Sequence, residues 1–478
     1  MGETGRVLIS DAGPRAHRHQ FVISRQPFLP DEDWTSQALS NEFHLSHQRD
    51  LPVQVLEQDG RSVMLLGHAF ALAPGAGPDE MAGRFARIEW PYLYPDPSVL
   101  LPIHYGDTPG GPLVTSSPSL AARLGGGAVT SRGIAWSGLN WTPPPGTAVA
   151  GIARLMRDQR LAIPTATVER VECPIRPAAS VTAARDGMAA DLTALAGTLK
   201  DRPGTTYLAL TAGLDSRTLL AGLLAAGTRF ECVTQSFDGV NPADIEIAGR
   251  ISRHLGIRHH VVGPEAFDEA PLRLWREHGL KSYSDADDAY LIPQNQYRFL
   301  GEGDLLVRGG CFEFGRRFYA SRFTGLDFGN ATGTALWSRF EAAAPHPPTV
   351  AALDAWLDWR RGHADGFDLV DSFYLDQRAG GWLASVEHGL DMLPGHSFPM
   401  ANCSRILSAL ITPAEADRAD GRLQRDVIRL LEPGLLRFPV NPVGFGERAT
   451  RVLHRTRDGI KRRIKRVLPE AMVRRLRR

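Results

Sequence analysis

Between residues 205 and 310, short apolar runs alternate with stretches patterned for helix, and no other feature restricts the chain as much. "TYLALT" (206–211) is patterned for a buried strand, and a helix is expected over 217–226. "RFECVTQSF" (229–237) reads as a second strand. "ADIEIAGRISRHLG" (243–256) reads as a helix stopped by Gly256. "RHHVV" (258–262) is a third strand, and "DLLVRGG" (304–310) a fourth that runs into glycines. Strands joined through helices run parallel, so the expected class is α/β. Open parallel sheets take ligands beyond the carboxyl ends of their strands.

The first 175 or so residues read differently. "LPVQVLEQDGRSVMLLGHAFAL" holds two alternating runs split by Asp59-Gly60, a hairpin signal. "VLLPIHYGDTPGGPLVTSSPS" repeats strand, Gly/Pro turn and strand. Helical spacing over 181–199 places a domain boundary near residue 180. Residues after 350 look mostly helical. A chain of 478 residues exceeds one ordinary core and suits about two or three domains. With 43% hydrophobic and 22% charged residues it groups with soluble globular proteins.

No basic segment followed by an apolar one opens the chain, so no signal peptide is expected, and no run nears the ~18 apolar residues of a membrane span. Cys173, Cys232, Cys311 and Cys403 are widely spaced, without metal-type pairing, which makes a reducing cytoplasm the expected location. Charge is uneven. Residues 446–478 hold 13 Lys and Arg against three acids, a local +10, so the remaining body is at −9.

The loop between the first parallel strand and its helix is Thr211-Ala212-Gly213-Leu214-Asp215-Ser216. Small residues there let backbone N–H groups approach a phosphate, and the helix N-terminus adds partial positive charge. Ser216 offers a hydroxyl to the same phosphate. Asp215 would repel a bare phosphate, which points to a bridging Mg2+. The common P-loop is excluded, because it requires a lysine that this loop lacks. The plainer alternative is a strand–turn–helix with Asp-Ser as a helix cap.

The loop resembles the Ser-Gly-Gly-x-Asp-Ser phosphate loop (PP-loop) of N-type ATP pyrophosphatases, with Thr211, Gly213, Asp215 and Ser216 matching and Ala212 in place of a glycine. The next segment is similar to that of the asparagine synthetase family. Ser236 ends a strand near the adenine, Asp244 opens a helix, and Ala248, Ile251 and Leu255-Gly256 follow at the family's spacing. "LLVRGGCFEFGRRFY" resembles that family's second signature, with Gly309, Gly310 and Glu313 in the matching places. Glu313 has a plainer alternative as a helix-start glutamate. "SFPMANCSRILSALI" and "GRLQRDVIRLLEPGLLRFPVNPVGFG" resemble the family's C-terminal helical part. Many members carry a lysine in its last loop. Here Asn441 or Val440 takes that place, and Arg437 is the nearest cation.

The resemblance spans about 180–446 and implies three parts: a β-rich, degenerate glutaminase-like domain over 1–180, a doubly wound parallel-sheet ATP pyrophosphatase domain with a helical C-terminal part over 181–446, and a basic amphipathic tail over 447–478. It implies an ATP-dependent ligase that adenylates a carboxylate, releases pyrophosphate and passes the acyl group to a nitrogen nucleophile. Leu210, Thr211, Ala212, Gly213, Asp215, Ser216, Ser236, Gly309 and Gly310 would bind ATP. Asp215, Ser216 and Glu313 would be catalytic, with Asp215 and Glu313 holding magnesium. The family's glutaminase nucleophile is a cysteine directly after the initiator methionine. Gly2 stands there, so glutamine hydrolysis by that route is not expected. Ammonia from solution or an amine on the substrate would serve instead, the second as in the related β-lactam synthetases and lasso-peptide macrolactam synthetases. The tyrosine base of the β-lactam enzymes falls near Gly310, which does not support that chemistry.

Two rivals stand beside this reading. A tRNA-modifying ATP pyrophosphatase shares the Asp-Ser loop, and the basic tail would suit a phosphate backbone. The segment around Glu313 favours the amide ligase over a nucleic-acid enzyme. The tail's apolar Ile460, Ile464, Val467 and Leu468 equally suit a membrane surface, an acidic partner protein or a solvated helix. The second rival is a nucleotide-binding scaffold that has lost catalysis. His259 and His260 are adjacent, point to opposite faces of a strand and cannot chelate one ion as a pair. Asp285, Asp287 and Asp288 would meet a cationic substrate group or simply be solvated.

Overall fold

The structure is a computed structural model that describes residues 15–58, 60–130, 138–236, 242–263, 269–280, 297–363 and 366–442. The N-terminal half is built from twelve strands: β1 (Phe21–Ser24), β2 (Trp34–Ala38), β3 (His44–Gln48), β4 (Val53–Gln58), β5 (Arg61–Ala71), β6 (Met81–Glu89), β7 (Tyr92–Pro95), β8 (His104–Thr108), β9 (Gly111–Thr115), β10 (Ala153–Arg154), β11 (Gln159–Ala162) and β12 (Thr167–Arg170). They form two six-stranded antiparallel sheets, ordered β10-β8-β9-β1-β3-β2 and β12-β11-β7-β6-β5-β4. Alternation turns Phe21, Ile23, Leu45 and Val114 of one sheet toward Leu66, Ile88, Leu93 and Leu161 of the other, and these side chains make one core. The hairpin expected around residue 59 is the β4–β5 pair. Helix α1 (Pro118–Gly125) follows β9, capped by the Ser117 hydroxyl and stopped by Gly126 at φ 65°.

The second half starts with α2 (Val181–Gly197), whose N-cap Ser180 accepts from the Ala183 N–H. A five-stranded sheet follows: β13 (Thr206–Ala209), β14 (Glu231–Gln235), β15 (His259–Val262), β16 (Leu305–Arg308) and β17 (His396–Pro399). Every neighbouring pair is parallel, in the order β15-β14-β13-β16-β17. The crossovers carry α3 (Leu214–Ala226), α4 (Pro242–Leu255) and α5 (Glu269–Gly279). Period-two alternation sends Leu208, Leu305 and Val307 into a core with Leu192 of α2, Leu219 of α3 and Ile247 of α4. Tyr207, Val233 and Leu306 meet Leu300, Leu390 and Leu393 on the opposite face. Fold and class are thus mixed α/β, with two antiparallel sheets, one parallel sheet and helices.

The expectation of a helical region after 350 needs one correction. Helices Pro347–Gly362, Ala384–Leu390, Ser404–Ile411 and Arg422–Leu431 are present, but β17 lies among them as an edge strand of the parallel sheet. Four residues are too few to show a period. A π-helical stretch, Tyr374–Leu383, precedes it.

The two halves share buried structure. Ala82 of β6 bridges Cys403, and Leu139, Trp141 and Met156 lie in the same core as the C-terminal helices. Buried ion pairs cross the junction. Arg157 Nε donates to Asp376 Oδ1 at 3.0 Å, and Arg360 donates to Asp376 at 2.6 Å and to Asp158 at 2.8 Å. Arg84 of β6 meets both oxygens of Asp391 at 2.6 and 2.9 Å. Among the described residues no helix is long and apolar enough to cross a membrane.

Candidate functional site

The strand order reverses between β13 and β16. The chain moves outward from β13 through β14 to β15, then returns to the other side for β16 and β17. Such a reversal parts the connections at the carboxyl edge and leaves a crevice. A cavity of about 280 Å³ lies there. Its wall takes Thr211, Asp215 and Ser216 from the β13–α3 loop, Gly309, Gly310 and Glu313 from the turn after β16, and Tyr374 and Arg378 from the π-helical stretch.

Gly213 is the N-cap of α3, with no side-chain cap bond, so Asp215 and Ser216 fall inside the first turn. The helix-cap alternative does not describe them. The Ser216 hydroxyl turns back on the loop instead, accepting from the Thr211 N–H at 3.1 Å and meeting Thr211 Oγ1 at 3.1 Å. The Gly213 N–H donates to Thr211 Oγ1 at 3.2 Å, and the Ala212 N–H donates to Asp244 Oδ1 at 2.8 Å. These hydroxyls tie the loop to itself.

Ala212 is fully buried in the core behind the loop and is not among the residues at positive φ. Its methyl therefore does not narrow the cavity. Gly309, in contrast, is needed for close approach. A Cβ there would stand 3.1 Å from the Asp215 Cβ. Gly310 packs on Leu383, whose Cδ2 would be 2.9 Å from an added Cβ. Leu210 is buried, and its carbonyl accepts from Thr234 Oγ1 at 2.8 Å. Ser236 does not line the cavity. Its N–H donates to the Val262 carbonyl at 2.6 Å, and the preceding Gln235 reaches the wall instead.

The acids carry partners that spacing alone does not reveal. Arg316 grips both oxygens of Asp215, with Nη2 to Oδ2 at 2.9 Å, and Gln424 Nε2 donates to Oδ1 at 2.7 Å. Burial opposes the Arg316 charge, but the Asp215 carboxylate outweighs it and holds the guanidinium pKa above its usual value. Glu313 lies 3.7 Å from Arg378 Nε. Burial pushes the Glu313 carboxyl up, with Asp215 adding to the rise and Arg378 opposing it. Arg378 stacks on Trp382, 3.5 Å from the ring centroid. Burial raises the Cys311 thiol and the Tyr374 phenol, so both stay protonated at neutral pH.

Both Asp215 oxygens are already engaged, Glu313 faces an arginine, and no group of three His, Cys, Asp or Glu able to hold a metal stands among the described residues. With Asp215 engaged in this way, the two acids do not by themselves form a ready site for a resident magnesium ion, because Arg316 already supplies positive charge at Asp215. His259 and His260 do turn apart, to Thr234 Oγ1 at 2.8 Å and Glu231 Oε2 at 2.5 Å. Gly2, Asp285, Asp287, Asp288 and the basic tail lie outside the described residues.

Comparison with known proteins adds little. No family model matches the chain, and no curated protein matches it. Among solved structures it is similar to the glutamine phosphoribosylpyrophosphate amidotransferase from B. subtilis complexed with ADP and GMP. That likeness has 10% identity and a TM-score of 0.19 over 64% of this chain and 71% of the other. At that level it carries no argument about fold or activity.

Proposed function

We propose that the chain is an asparagine synthetase-like, AMP-forming amide ligase. It activates a small-molecule or peptide carboxylate with ATP and transfers the acyl group to a nitrogen nucleophile. In this reading the parallel-sheet half is a doubly wound ATP pyrophosphatase domain, and the N-terminal half is a glutaminase-like layer without glutaminase activity. Macrolactam formation in peptide or natural-product assembly is the setting that suits a substrate amine.

One observation carries the reading. Thr211-Asp215-Ser216 and Gly309-Gly310-Glu313, nearly 100 residues apart in sequence, meet at the one point where the parallel sheet reverses its order. Thr211 and Ser216 hydroxyls and the first turn of α3 would bind the phosphates. Arg378 and Arg316 would offset the charge of the leaving pyrophosphate. Magnesium would enter as part of the nucleotide substrate. The loop is held rigid by its own hydrogen bonds, so its contribution would be positioning and charge stabilisation.

The test is pyrophosphate release from ATP and magnesium, wild type beside Asp215→Ala, with pooled amino acids, peptides and ammonium. Release that needs both a substrate and Asp215 supports the ligase. ATP binding by calorimetry without release in any pool supports the scaffold reading. Absence of ATP binding ends both.

A further inference from the structure

Arg217 is fully buried in the first turn of α3, directly behind the loop. Among the described residues its guanidinium meets only backbone carbonyls. Nη1 donates to Phe438 at 2.7 Å and Leu435 at 3.3 Å, and Nη2 donates to Ala212 at 2.9 Å and to Pro439. Among the described residues Nε has no hydrogen-bond partner. Among the described residues no carboxylate pairs with it, whereas Arg84, Arg360 and Arg418, also buried, each hold one. Carbonyls satisfy the N–H groups but leave the charge uncancelled, and an uncompensated buried charge is costly. The positive end of the α3 dipole and nearby Arg425 make it worse. The same four carbonyls belong to two pieces of chain. Ala212 is in the loop, and the other three are in the strap 435–439. The strap is fastened once more by the Asn441 N–H, which donates to the Ala212 carbonyl at 3.1 Å.

We propose that Arg217 is a positioning residue whose unpaired charge, fixed behind the loop, is completed by a polyphosphate in the cavity, and that it thereby couples anion binding to closure of the strap 435–441. The inference rests on the nucleotide-site reading and adds, behind the loop, a further positive charge to that of Arg378 in the cavity wall. The anion would sit on the opposite side of the loop, attracted through a low-dielectric wall that screens little. The strap would be held more firmly when the anion is bound, because the guanidinium joining the two pieces is then neutralised.

The experiment uses the full chain with inorganic pyrophosphate and ATP–magnesium as probes, by calorimetry at two ionic strengths. Arg217→Lys keeps the charge, and Arg217→Met keeps the bulk without it. Pyrophosphate should bind Arg217→Met at least ~10-fold more weakly, with a shallower salt dependence, while Arg217→Lys recovers most of the affinity. A role confined to stability would lower the melting temperature of both variants and leave the affinity of the folded protein unchanged, which overturns the proposal. Wild type that binds pyrophosphate but not ATP supports the anion role and defeats the ligase reading. Wild type that binds neither defeats both. Should Arg217→Met not fold, proteolysis of wild type decides. Pyrophosphate should slow cleavage within 433–442, and unchanged cleavage overturns the coupling.

Discussion

Lowering the pH from 7.5 to 5.5 should destabilise this protein strongly, because six histidines are held neutral, four of them buried and His68 and His396 partly buried. His19 precedes β1, His68 is in β5, His104 in β8, His278 in α5, His388 in the helix Ala384–Leu390 and His396 in β17. Rings from both halves meet, with His68 and His396 3.7 Å apart, His19 and His396 4.5 Å apart, and His278 stacked on His388 at 3.9 Å. His278 Nδ1 accepts from the His17 N–H at 3.1 Å, and its Nε2 lies 2.8 Å from the His388 carbonyl, a pairing that suits the neutral ring. Burial is the largest cause in every case. It brings His19 down to about 3 and the other five well below 6.5. Depressed histidines stabilise the fold fully above the unfolded value of 6.5, and that contribution is lost as pH falls toward the folded values. At pH 5.5 the unfolded chain gains about 1.4 kcal/mol per histidine, so six together come to at most roughly 8 kcal/mol. Buried Asp96 and half-buried Glu313 titrate upward and offset part of this. Domains are stable by only about 5–15 kcal/mol, so the loss is large. Urea unfolding at pH 7.5, 6.5 and 5.5, followed by tryptophan fluorescence, should show a falling midpoint and uptake of about five protons on unfolding at pH 5.5. A stability change smaller than that of one histidine, about 1.4 kcal/mol, would refute the reasoning.

Two substitutions test the site from opposite sides. Ala212→Gly removes a methyl that faces the core, so it should cost about 1 kcal/mol in unfolding free energy and leave ATP affinity unchanged in calorimetry. Gly309→Ala places a Cβ 3.1 Å from that of Asp215, so it should weaken ATP binding or slow pyrophosphate release by about 10-fold, with a melting temperature within a few degrees of wild type.

The alternation of strands and helices is legible in the sequence because each element has one pattern and one job. β13, β14, β15, β16, α2, α3 and α4 fall where apolar spacing puts them, and α3 begins only three residues before its expected start. β17 is not legible, since a four-residue strand carries no period and owes its place to pairing with β16. The loop residues and the turn at Gly309 are legible as motifs with local chemistry. Their partners are not. Arg316 lies 101 residues from Asp215, and Gln424 lies 209. Arginines and glutamines are common on surfaces, so nothing local marks these two. Arg217 sits in plain view beside Ser216, yet only the strap's return over the loop makes it an unpaired buried charge.

The shared junction has a consequence for how such a chain can change over time. Asp376 and Arg360 are completely enclosed, and Arg157 and Asp158 from the other half complete their charges. Deleting residues 15–180 would uncover Phe398, which packs on Phe70, and strand Asp391 without Arg84. Residues of the N-terminal layer are thus constrained by what they enclose, whether or not that layer has chemistry of its own. It can drift in its outer strands, but it is inherited as a wall of the neighbouring half and cannot be shed as a module.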